Sequence, residues 1–305
     1  MFRYFILLLL FPCLLNAQRI DVDVFGGMAN YQGDLQPQFF TFKNSRPAAA
    51  INLKYGVTEN FYIRTGFTFG SLAAYDADNN QKNVPRNLNF QTALQEYTLG
   101  FEYRLFKPET INVTPYIFVG GGVFHYNPYT NYAVGGKMEK VYLQPLSTEG
   151  QGLSMYPKRK PYALTQFCVP YGVGLKWQLT CNLNIGLELR QTKTFTDYLD
   201  DVSTTYVDQT ALRNAKGQVA VDLAFREDEY SGRPYPPDGQ PRGNPVQGDL
   251  YYFAGLTIGL KLNDCSDGSF SLGGLFNGEH SLFKKSGPGP GGSRRIRSQV
   301  GCPKF

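Results

Sequence analysis

Alternation of apolar and polar residues is the feature that most constrains the fold of this chain. In the segment 183–190, leucine or isoleucine occupies every odd position, and Asn, Gly, Glu and Arg occupy the even positions. A period of two residues predicts a β-strand with two different faces. Here one face is entirely aliphatic and the other carries charges. This pattern is typical of a barrel in lipid, whose apolar residues point outward and whose polar residues point into the lumen.

Eight such segments are separated by connections of very unequal length. The predicted strands are approximately 19–31, 47–57, 60–74, 87–106, 113–126, 163–179, 182–196 and 250–262. Three connections are tight turns and four are longer. The tight turns fall at 57–60, 106–112 and 179–182, and the longer connections at about 32–46, 75–86, 127–162 and 197–249. Short turns at one end and long loops at the other are typical of bacterial outer-membrane barrels.

The sequence therefore predicts an all-β fold, an eight-stranded antiparallel transmembrane β-barrel over 18–262. An even number of strands places both termini on the side of the short turns, which is periplasmic in this pattern. The predicted location is the outer membrane of a Gram-negative bacterium. A soluble sandwich or lipocalin-like barrel that buries the apolar face is the alternative, but it explains the unequal connections poorly.

Residues of one parity form the predicted lipid-facing surface. These are Ile51, Leu53, Tyr55, Ile63, Phe67, Phe69, Tyr97, Leu99, Phe101, Tyr103, Val169, Tyr171, Val173, Leu175, Trp177, Leu256, Ile258 and Leu260. Tyr55, Tyr103 and Trp177 fall near the short-turn ends, where an aromatic girdle is expected. Outer-membrane lipid is therefore a predicted partner of this surface.

Residues of the opposite parity place nine charged side chains in the predicted lumen. They are Asp21, Asp23, Lys54, Arg64, Glu102, Arg104, Lys176, Glu188 and Arg190. The interior of an eight-stranded barrel is just wide enough to be filled by side chains, and charges buried there must pair because an unpaired buried charge is costly. The sequence thus predicts a salt-bridged plug and no open pore. Glycines on the strands are expected to make room for the long Arg and Lys side chains.

The first seventeen residues have the features of an export signal. Arg3 precedes an apolar run over 5–15, and a cleavage site is expected after Ala17. Cys13 lies in that run without a small-residue lipobox, which disfavours lipoprotein anchoring. No later stretch reaches about 18 apolar residues, the length that a transmembrane helix requires.

Charge is distributed unevenly between the long connections. Residues 197–249 hold ten acids and five bases, whereas 127–162 hold five bases and two acids. One interpretation is ordinary assorted charge on solvated loops. The other is that two oppositely charged loops pack against each other.

Nothing in the sequence predicts an enzyme or a cofactor. The two histidines, His125 and His280, fall on opposite sides of the predicted membrane, so they cannot share a site. The motifs of serine hydrolases, zinc proteases and paired-cysteine metal sites are absent. A cluster of oxygen ligands that suits calcium follows the seventh strand, but the EF-hand spacing and its glycine are missing. It consists of Asp197, Asp200, Asp201 and Asp208. A solvated or internally hydrogen-bonded loop is the favoured alternative, and neither a nucleic acid nor a small-molecule substrate is indicated.

Four segments and the C-terminus carry a resemblance to a known family. The longest segment runs from Lys193 to Tyr206 and contains Asp197, Tyr198, Asp200 and Asp201. The other pieces are 31–35, 86–90, 146–152 and 302–305. Together they resemble the PorG-like, DUF6089-type outer-membrane barrel component of the Bacteroidetes type IX secretion system. The resemblance extends in order over nearly the whole mature chain.

This resemblance implies a non-enzymatic part of a protein secretion machine. Barrels of that family associate with a periplasmic ring built from a lipoprotein and its partner, the PorK and PorN components, while cargo passes through a separate translocon. The resemblance supplies no catalytic residues. A surface barrel that binds a ligand or a host through its long loops is the alternative function.

The tail over 263–305 combines a flexible spacer with a basic end. A Gly- and Pro-rich spacer covers 286–293 and precedes the basic terminal segment. We expect this tail to act as a periplasmic tether, with Arg294, Arg295, Arg297, Cys302, Pro303 and Phe305 as the partner-binding residues. A disordered basic tail attracted weakly to anionic lipid or peptidoglycan is the simpler interpretation.

Four cysteines remain after signal removal, and the sequence does not choose among their three possible connectivities. Cys181 and Cys265 fall on the periplasmic side of the predicted barrel, and Cys168 falls near the extracellular side. A link between Cys265 and Cys302 is therefore one possible disulfide, and a link from Cys302 to a partner is the other.

Overall fold

Within the described residues, the regular structure consists of ten strands, three short α-helices and three single turns of 3-10 helix. The computed structural model describes residues 19–39, 41–78, 84–106, 112–180, 182–246 and 248–262. The strands are β1 Arg19–Gln32, β2 Arg46–Gly56, β3 Phe61–Tyr75, β4 Asn89–Arg104, β5 Val113–Tyr126, β6 Tyr129–Val134, β7 Lys137–Tyr142, β8 Thr165–Gln178, β9 Leu183–Thr194 and β10 Leu250–Lys261. The helices are α1 Gln209–Lys216, α2 Gln218–Ala224 and α3 Glu227–Ser231.

Eight of these strands close into an antiparallel barrel. Chain neighbours pair from β1 to β5, β5 then pairs with β8, and β8 with β9, β9 with β10 and β10 with β1 complete the ring. Closure satisfies the edge hydrogen bonds that lipid cannot satisfy. The predicted fold class, an eight-stranded antiparallel membrane barrel, is confirmed.

The two longest connections contain strands or α-helices of their own. Within 127–162, β6 and β7 form a hairpin that joins the barrel through the single pair Gln91–Tyr129 on β4. Within 197–249 lie the three helices. Helix α1 is capped at its N-terminus by Asp208, whose Oδ1 accepts a hydrogen bond from the Ala211 amide at 2.7 Å. Gly217 caps its C-terminus with a φ of +85°, which suits glycine.

The outer surface of the barrel is apolar, and the inner side chains are buried. Along β9 the exposed Ile185, Leu187 and Leu189 alternate with the buried Asn184, Glu188 and Arg190. Exposed apolar residues cover the other barrel strands in the same way. This arrangement is the reverse of a water-soluble barrel and fits the hydrocarbon layer of a membrane. Separately, no helix among the described residues is long and apolar enough to cross a membrane.

Replacing Leu187 by arginine should test this orientation directly. Leu187 is 56% exposed near the middle of β9, where an arginine in lipid should cost about 2–4 kcal/mol of unfolding free energy. Phe195→Arg, just beyond the long-loop end of the same strand, should cost about 0–1 kcal/mol because the penalty falls near the interface. Equilibrium unfolding in lipid vesicles measures both variants. Equal costs for the two would contradict the assignment of a lipid-embedded belt.

Candidate functional site: the lumen and the loop cap

The nine charged residues predicted for the lumen are all buried inside the barrel. Their side chains form ion pairs between strands. Arg64 Nη2 lies 2.7 Å from Glu188 Oε1, and Arg104 Nη2 lies 2.5 Å from Asp21 Oδ2. The Lys54 ammonium contacts Asp23, and Lys176 Nζ lies 3.0 Å from the same Asp23 oxygen that Lys54 contacts.

Glu102 is the centre of this network. Its carboxylate oxygens lie 2.6 Å from Lys54 Nζ and 3.0 Å from Arg104 Nε. Lys176 Nζ and Arg64 Nη1 follow at 3.5 and 3.6 Å. One buried carboxylate thus faces four cations that come from four different strands, because each strand contributes only the residues of its inward parity.

The structure adds Glu96 to the predicted lumen set. Glu96 is fully buried, and its Oε1 lies 3.3 Å from Arg190 Nη1. The Tyr251 hydroxyl donates a hydrogen bond of 2.5 Å to its other oxygen. The parity of β4 could have identified Glu96, since it lies six residues before Glu102 on the same face. With Glu96 included, these buried residues comprise five acids and five bases, so the set is neutral.

Aromatic rings share the lumen with the ions. The guanidinium of Arg64 lies over Phe118 at 4.2 Å and that of Arg104 over Tyr62 at 3.5 Å. Lys54 and Lys176 approach the Tyr116 ring at 5.3 and 5.5 Å. Such cation–π contacts partly replace the water that these cations lose.

These rings correct the expected role of the glycines. A Cβ on Gly174 would lie 2.2 Å from the Tyr116 ring, and one on Gly172 would lie 2.7 Å from the Phe118 ring. At these two positions the missing side chain makes room for an aromatic ring, and not for an Arg or Lys side chain as the sequence suggested. The rings then support the cations from within the lumen.

The four long connections form a cap at the end of the barrel opposite the short turns. We call the described residues of 33–45, 76–88, 127–164 and 195–249 the loop cap. Its buried apolar residues, such as Leu199 and Val202, belong to one cluster with Phe25, Phe124 and Phe253 from the barrel strands. A second apolar cluster joins Val207 to the inner faces of α1 and α2. The cap is therefore packed onto the barrel.

The segments that carry the family resemblance converge inside this cap. The amide of Leu35 donates to Asp200 Oδ2 at 3.2 Å, and Arg86 Nη2 donates to the Asp34 carbonyl at 3.0 Å. Thr148 donates to Asp201 Oδ2 at 2.6 Å. Segments 31–35, 86–90, 146–152 and 193–206, which are far apart in sequence, thus bind one another. The resemblance itself gave no indication that these pieces meet.

The same segments contain unusual backbone conformations. Within the part of the chain that the structure describes, the non-glycine residues with positive φ are Asn87, Ser147 and Asp201. Such conformations cost of order 1 kcal/mol or more and persist where surrounding contacts fix them. Each lies in a different converging segment, so the shape of the cap centre depends on tertiary contacts.

Glu149 holds the cap centre together. Its Oε1 accepts hydrogen bonds from the Ser203 amide at 2.9 Å and from Arg242 Nη1 at 3.0 Å. Its Oε2 accepts from the amide and hydroxyl of Thr204 at 2.9 and 2.6 Å and from the Tyr198 hydroxyl at 3.1 Å. Five donors from the 197–249 connection therefore surround one carboxylate from the 127–162 connection.

This contact explains how the two charged connections meet. They do pack against each other, but the buried pair has the opposite polarity to their net charges. The acid, Glu149, comes from the basic connection, and the base, Arg242, comes from the acidic one. The net charges of the two connections therefore do not account for the buried contact.

Asp200 and Asp249 share one hydrogen-bond donor. The Tyr31 hydroxyl lies 2.6 Å from Asp200 Oδ2 and 2.7 Å from Asp249 Oδ1, and all three groups are buried. A tyrosine hydroxyl has one proton, so it can donate to only one of the two carboxyls at a time. Both short distances become hydrogen bonds when the other carboxyl is protonated and donates to the tyrosine oxygen. Burial, and the neighbouring Asp34 for Asp200 and Asp200 for Asp249, raise the pKa of both groups well above the ordinary range.

Two further carboxyls of the predicted signature loop also have raised pKa values. Burial, with the nearby Asp34 and Glu149, raises the pKa of Asp197 to about 7. Burial raises the pKa of Asp201 to about 6, although Arg242, Thr148 and Tyr162 favour its charged form. Tyr198 is half-buried beside them. Among the described residues, no group of His, Cys, Asp and Glu side chains is arranged to hold a metal ion.

The raised pKa values predict that the cap is more stable in mild acid than at neutral pH. In the unfolded chain an aspartate loses its proton above its ordinary pKa of 3.8, whereas in the folded cap it keeps the proton at higher pH. The stability of the cap therefore falls as the pH rises towards the folded pKa. For Asp201 the loss should be about 1–3 kcal/mol between about pH 4 and pH 6. Hydrogen-exchange protection of 197–206, corrected for the intrinsic pH dependence of exchange, measures it.

A substitution distinguishes this effect from general acid sensitivity. Asp197→Asn imitates the protonated form, so it should reduce the loss of protection between about pH 4 and pH 7 and leave the cap unchanged below that window. Protection that rises with pH in the natural protein would contradict the prediction.

The remaining predicted site residues lie outside the described residues. This holds for Arg294, Arg295, Arg297, Cys302, Pro303 and Phe305 of the expected tether, and for both cysteines of the possible Cys265–Cys302 disulfide. Cys168 is described, and it is a free, buried cysteine.

Comparisons with known proteins identify a family and several solved structures of low similarity. The family described as "Domain of unknown function (DUF6089)" matches residues 1–217. No curated protein matches the sequence. The chain is similar in structure to Ail of Yersinia pestis, at 9% identity and a TM-score of 0.38, over 80% of this chain and 99% of that one. It is also similar to Neisserial surface protein A, at 8% identity and a TM-score of 0.39, over 81% of this chain and 100% of that one. A third similar structure is a major outer-membrane protein of Thermus thermophilus, at 12% identity and a TM-score of 0.36, over 81% of this chain and 100% of that one.

Proposed function

We propose that this chain, which belongs to the DUF6089 family, is a structural and assembly component of the type IX protein secretion machinery in the outer membrane. In this proposal it has no catalytic activity. Its barrel anchors the assembly in the membrane, and its tail links the barrel to a periplasmic ring of PorK- and PorN-like proteins. Both termini are then periplasmic and the loop cap is extracellular.

The filled lumen is the observation that carries this proposal. Ion pairs such as Arg64–Glu188 and Arg104–Asp21 occupy the barrel interior, and their side chains are at most 5% exposed. A channel or a porin needs a hydrated path, and these side chains fill the space that such a path would use. A barrel that does not conduct must act through its surfaces, which favours an anchoring role.

The loop cap supports the same role. A cap fixed by buried hydrogen bonds, with strained residues such as Asn87 and Asp201 at its centre, presents a defined surface to a partner. A preorganised surface loses less entropy on binding than a flexible loop does. The segments that carry the resemblance meet here, so we propose that the family maintains this cap for assembly.

Truncation after Leu262 should separate anchoring from assembly. The final barrel strand, β10, ends at Lys261, so the truncated protein should fold and insert. We expect it to lose co-purification with the periplasmic ring and to block export of the secreted proteins. Immunoblots of the ring proteins after mild solubilisation, and the proteome of the culture medium, measure the two effects.

A matched variant identifies which part of the tail matters. Replacing Arg294, Arg295 and Arg297 by glutamine keeps the spacer and removes the basic end, so it should reproduce the loss of ring binding. Full secretion by the truncated strain would exclude the tether. The alternative function, a surface-binding barrel, predicts that complete deletion abolishes only adhesion or uptake and leaves secretion intact.

A further inference from the structure

The first long connection does not project away from the barrel. It folds back over the outward face of β1 and β10. Asn30, on the outward parity of β1, donates from Nδ2 to the Thr41 carbonyl at 2.6 Å and to Ser45 Oγ at 3.0 Å. The ring of Phe39 packs edge-on against Tyr252 of β10, with the centroids 4.5 Å apart. We call the described residues of 33–45 the flap.

The flap covers positions that would otherwise continue the lipid-facing belt. Met28 lies two residues before Asn30 on the same face of β1 and is 47% exposed, whereas Asn30 is 1% exposed. On β10, Leu256 is 62% exposed and Tyr252, which has the same parity, is 1% exposed. The flap therefore begins where the apolar belt ends.

Two phenylalanines of the flap remain largely exposed. Phe39 is 54% exposed beyond its contact with Tyr252, and Phe42 is 80% exposed. Lys43 beside them pairs with Asp78 at 2.5 Å and is itself largely exposed. Exposed phenylalanine rings beside a lysine suit a membrane interface, because the apolar rings can be buried at the boundary between headgroups and acyl chains while the lysine reaches the polar layer.

We propose that the flap is an interfacial anchor whose phenylalanines insert into the lipid leaflet at the long-loop end of the barrel. The occupant of this surface is lipid, because the flap is continuous with the apolar belt over β1 and β10. Insertion fixes the flap, and the flap in turn holds the long-loop ends of β1 and β10 at a set height in the bilayer. This inference rests on the membrane barrel and is independent of the proposed secretion role.

Depth-dependent fluorescence quenching tests the proposal in the full-length protein. Trp177 is the single tryptophan of the chain, so Trp177→Phe provides a background in which Phe42→Trp reports alone. The protein is reconstituted in phosphatidylcholine vesicles whose acyl chains carry bromine at shallow or deep positions. We expect Phe42→Trp to have blue-shifted emission and to lose most of it to shallow bromine, with little loss to deep bromine.

Two other exposed positions calibrate the result, one on the apolar belt and one in the loop cap. Leu256→Trp on the lipid-facing belt should be quenched most by deep bromine. Val246→Trp, at a 90% exposed position in another cap connection, should emit as in water and be quenched by neither lipid. Heat-modifiable migration on a gel confirms that each variant is folded. Emission from Phe42→Trp that matches Val246→Trp would overturn the proposal, because the flap would then face solvent or another protein.

Discussion

Replacing Glu102 by glutamine is expected to lower the free energy of unfolding of the barrel by about 3–5 kcal/mol. Glu102 lies within 3.6 Å of four buried cations, Lys54, Arg64, Arg104 and Lys176. Glutamine keeps the shape of the side chain but removes the negative charge. Because solvent does not reach these cations, the excess positive charge is not screened. Denaturant titration in lipid vesicles, followed by gel mobility, measures the loss.

Two further variants separate charge balance from packing. Glu139→Gln, on the exposed surface of β7, removes the same charge where water screens it and should change stability by at most about 0.5 kcal/mol. Adding Lys54→Met to Glu102→Gln restores neutrality in the lumen. The double variant should therefore be less destabilised than the sum of the two single variants.

If Glu102→Gln unfolds at the same denaturant concentration as the natural protein, water must screen the lumen charges. A hydrated lumen should then conduct ions when the protein is inserted in a planar bilayer, and the anchoring role would lose its main support. Unfolding stability and ion conductance thus test, by independent measurements, whether water enters the lumen.

The barrel was predictable because its determinants are local in sequence. A period of two residues specifies which side chains face lipid, so the exposed Leu187 and the buried Glu188 follow from neighbouring positions. The same parity applied throughout β4 identifies Glu96, which the sequence analysis missed although no additional information was needed. Tyr116 and Phe118 were missed for a different reason, since aromatic residues of the inward parity were not expected among the ions.

The loop cap was not predictable because its determinants are distant in sequence. The Tyr31 hydroxyl meets Asp200 and Asp249 only after the barrel brings the ends of β1, β9 and β10 together. No repeating pattern in 197–249 indicates which aspartate is buried or which arginine pairs with Glu149. The resemblance is carried by these segments, but the tertiary fold determines which of their residues contact one another. Irregular backbone, fixed by tertiary hydrogen bonds, carries no periodic signal.

Replacing Glu149 by glutamine should release the cap while the barrel remains inserted. The carboxylate accepts hydrogen bonds from two amides and from Thr204, Tyr198 and Arg242. Glutamine can accept through one oxygen only, and it leaves the buried Arg242 without its nearest counter-charge. We expect the cap to lose about 3–5 kcal/mol of stability, measured as the loss of hydrogen-exchange protection over 197–206 and 146–152. Protection of β9 and β10 should be unchanged.

The pair Arg226–Glu229 at the edge of the same connection provides the control. Glu229 is 39% exposed, so solvent partly screens its charge, and Glu229→Gln should cost about 1 kcal/mol or less. A double-mutant cycle of Glu149→Gln with Arg242→Met isolates the pair, and the double variant should recover part of the protection because it leaves no unpaired charge. Under the proposed function, Glu149→Gln should also reduce export in proportion to the released cap. If export fails while protection of 197–206 stays intact, Glu149 must act in assembly in some way other than stabilising the folded cap. The proposed role of a preorganised cap would then be wrong.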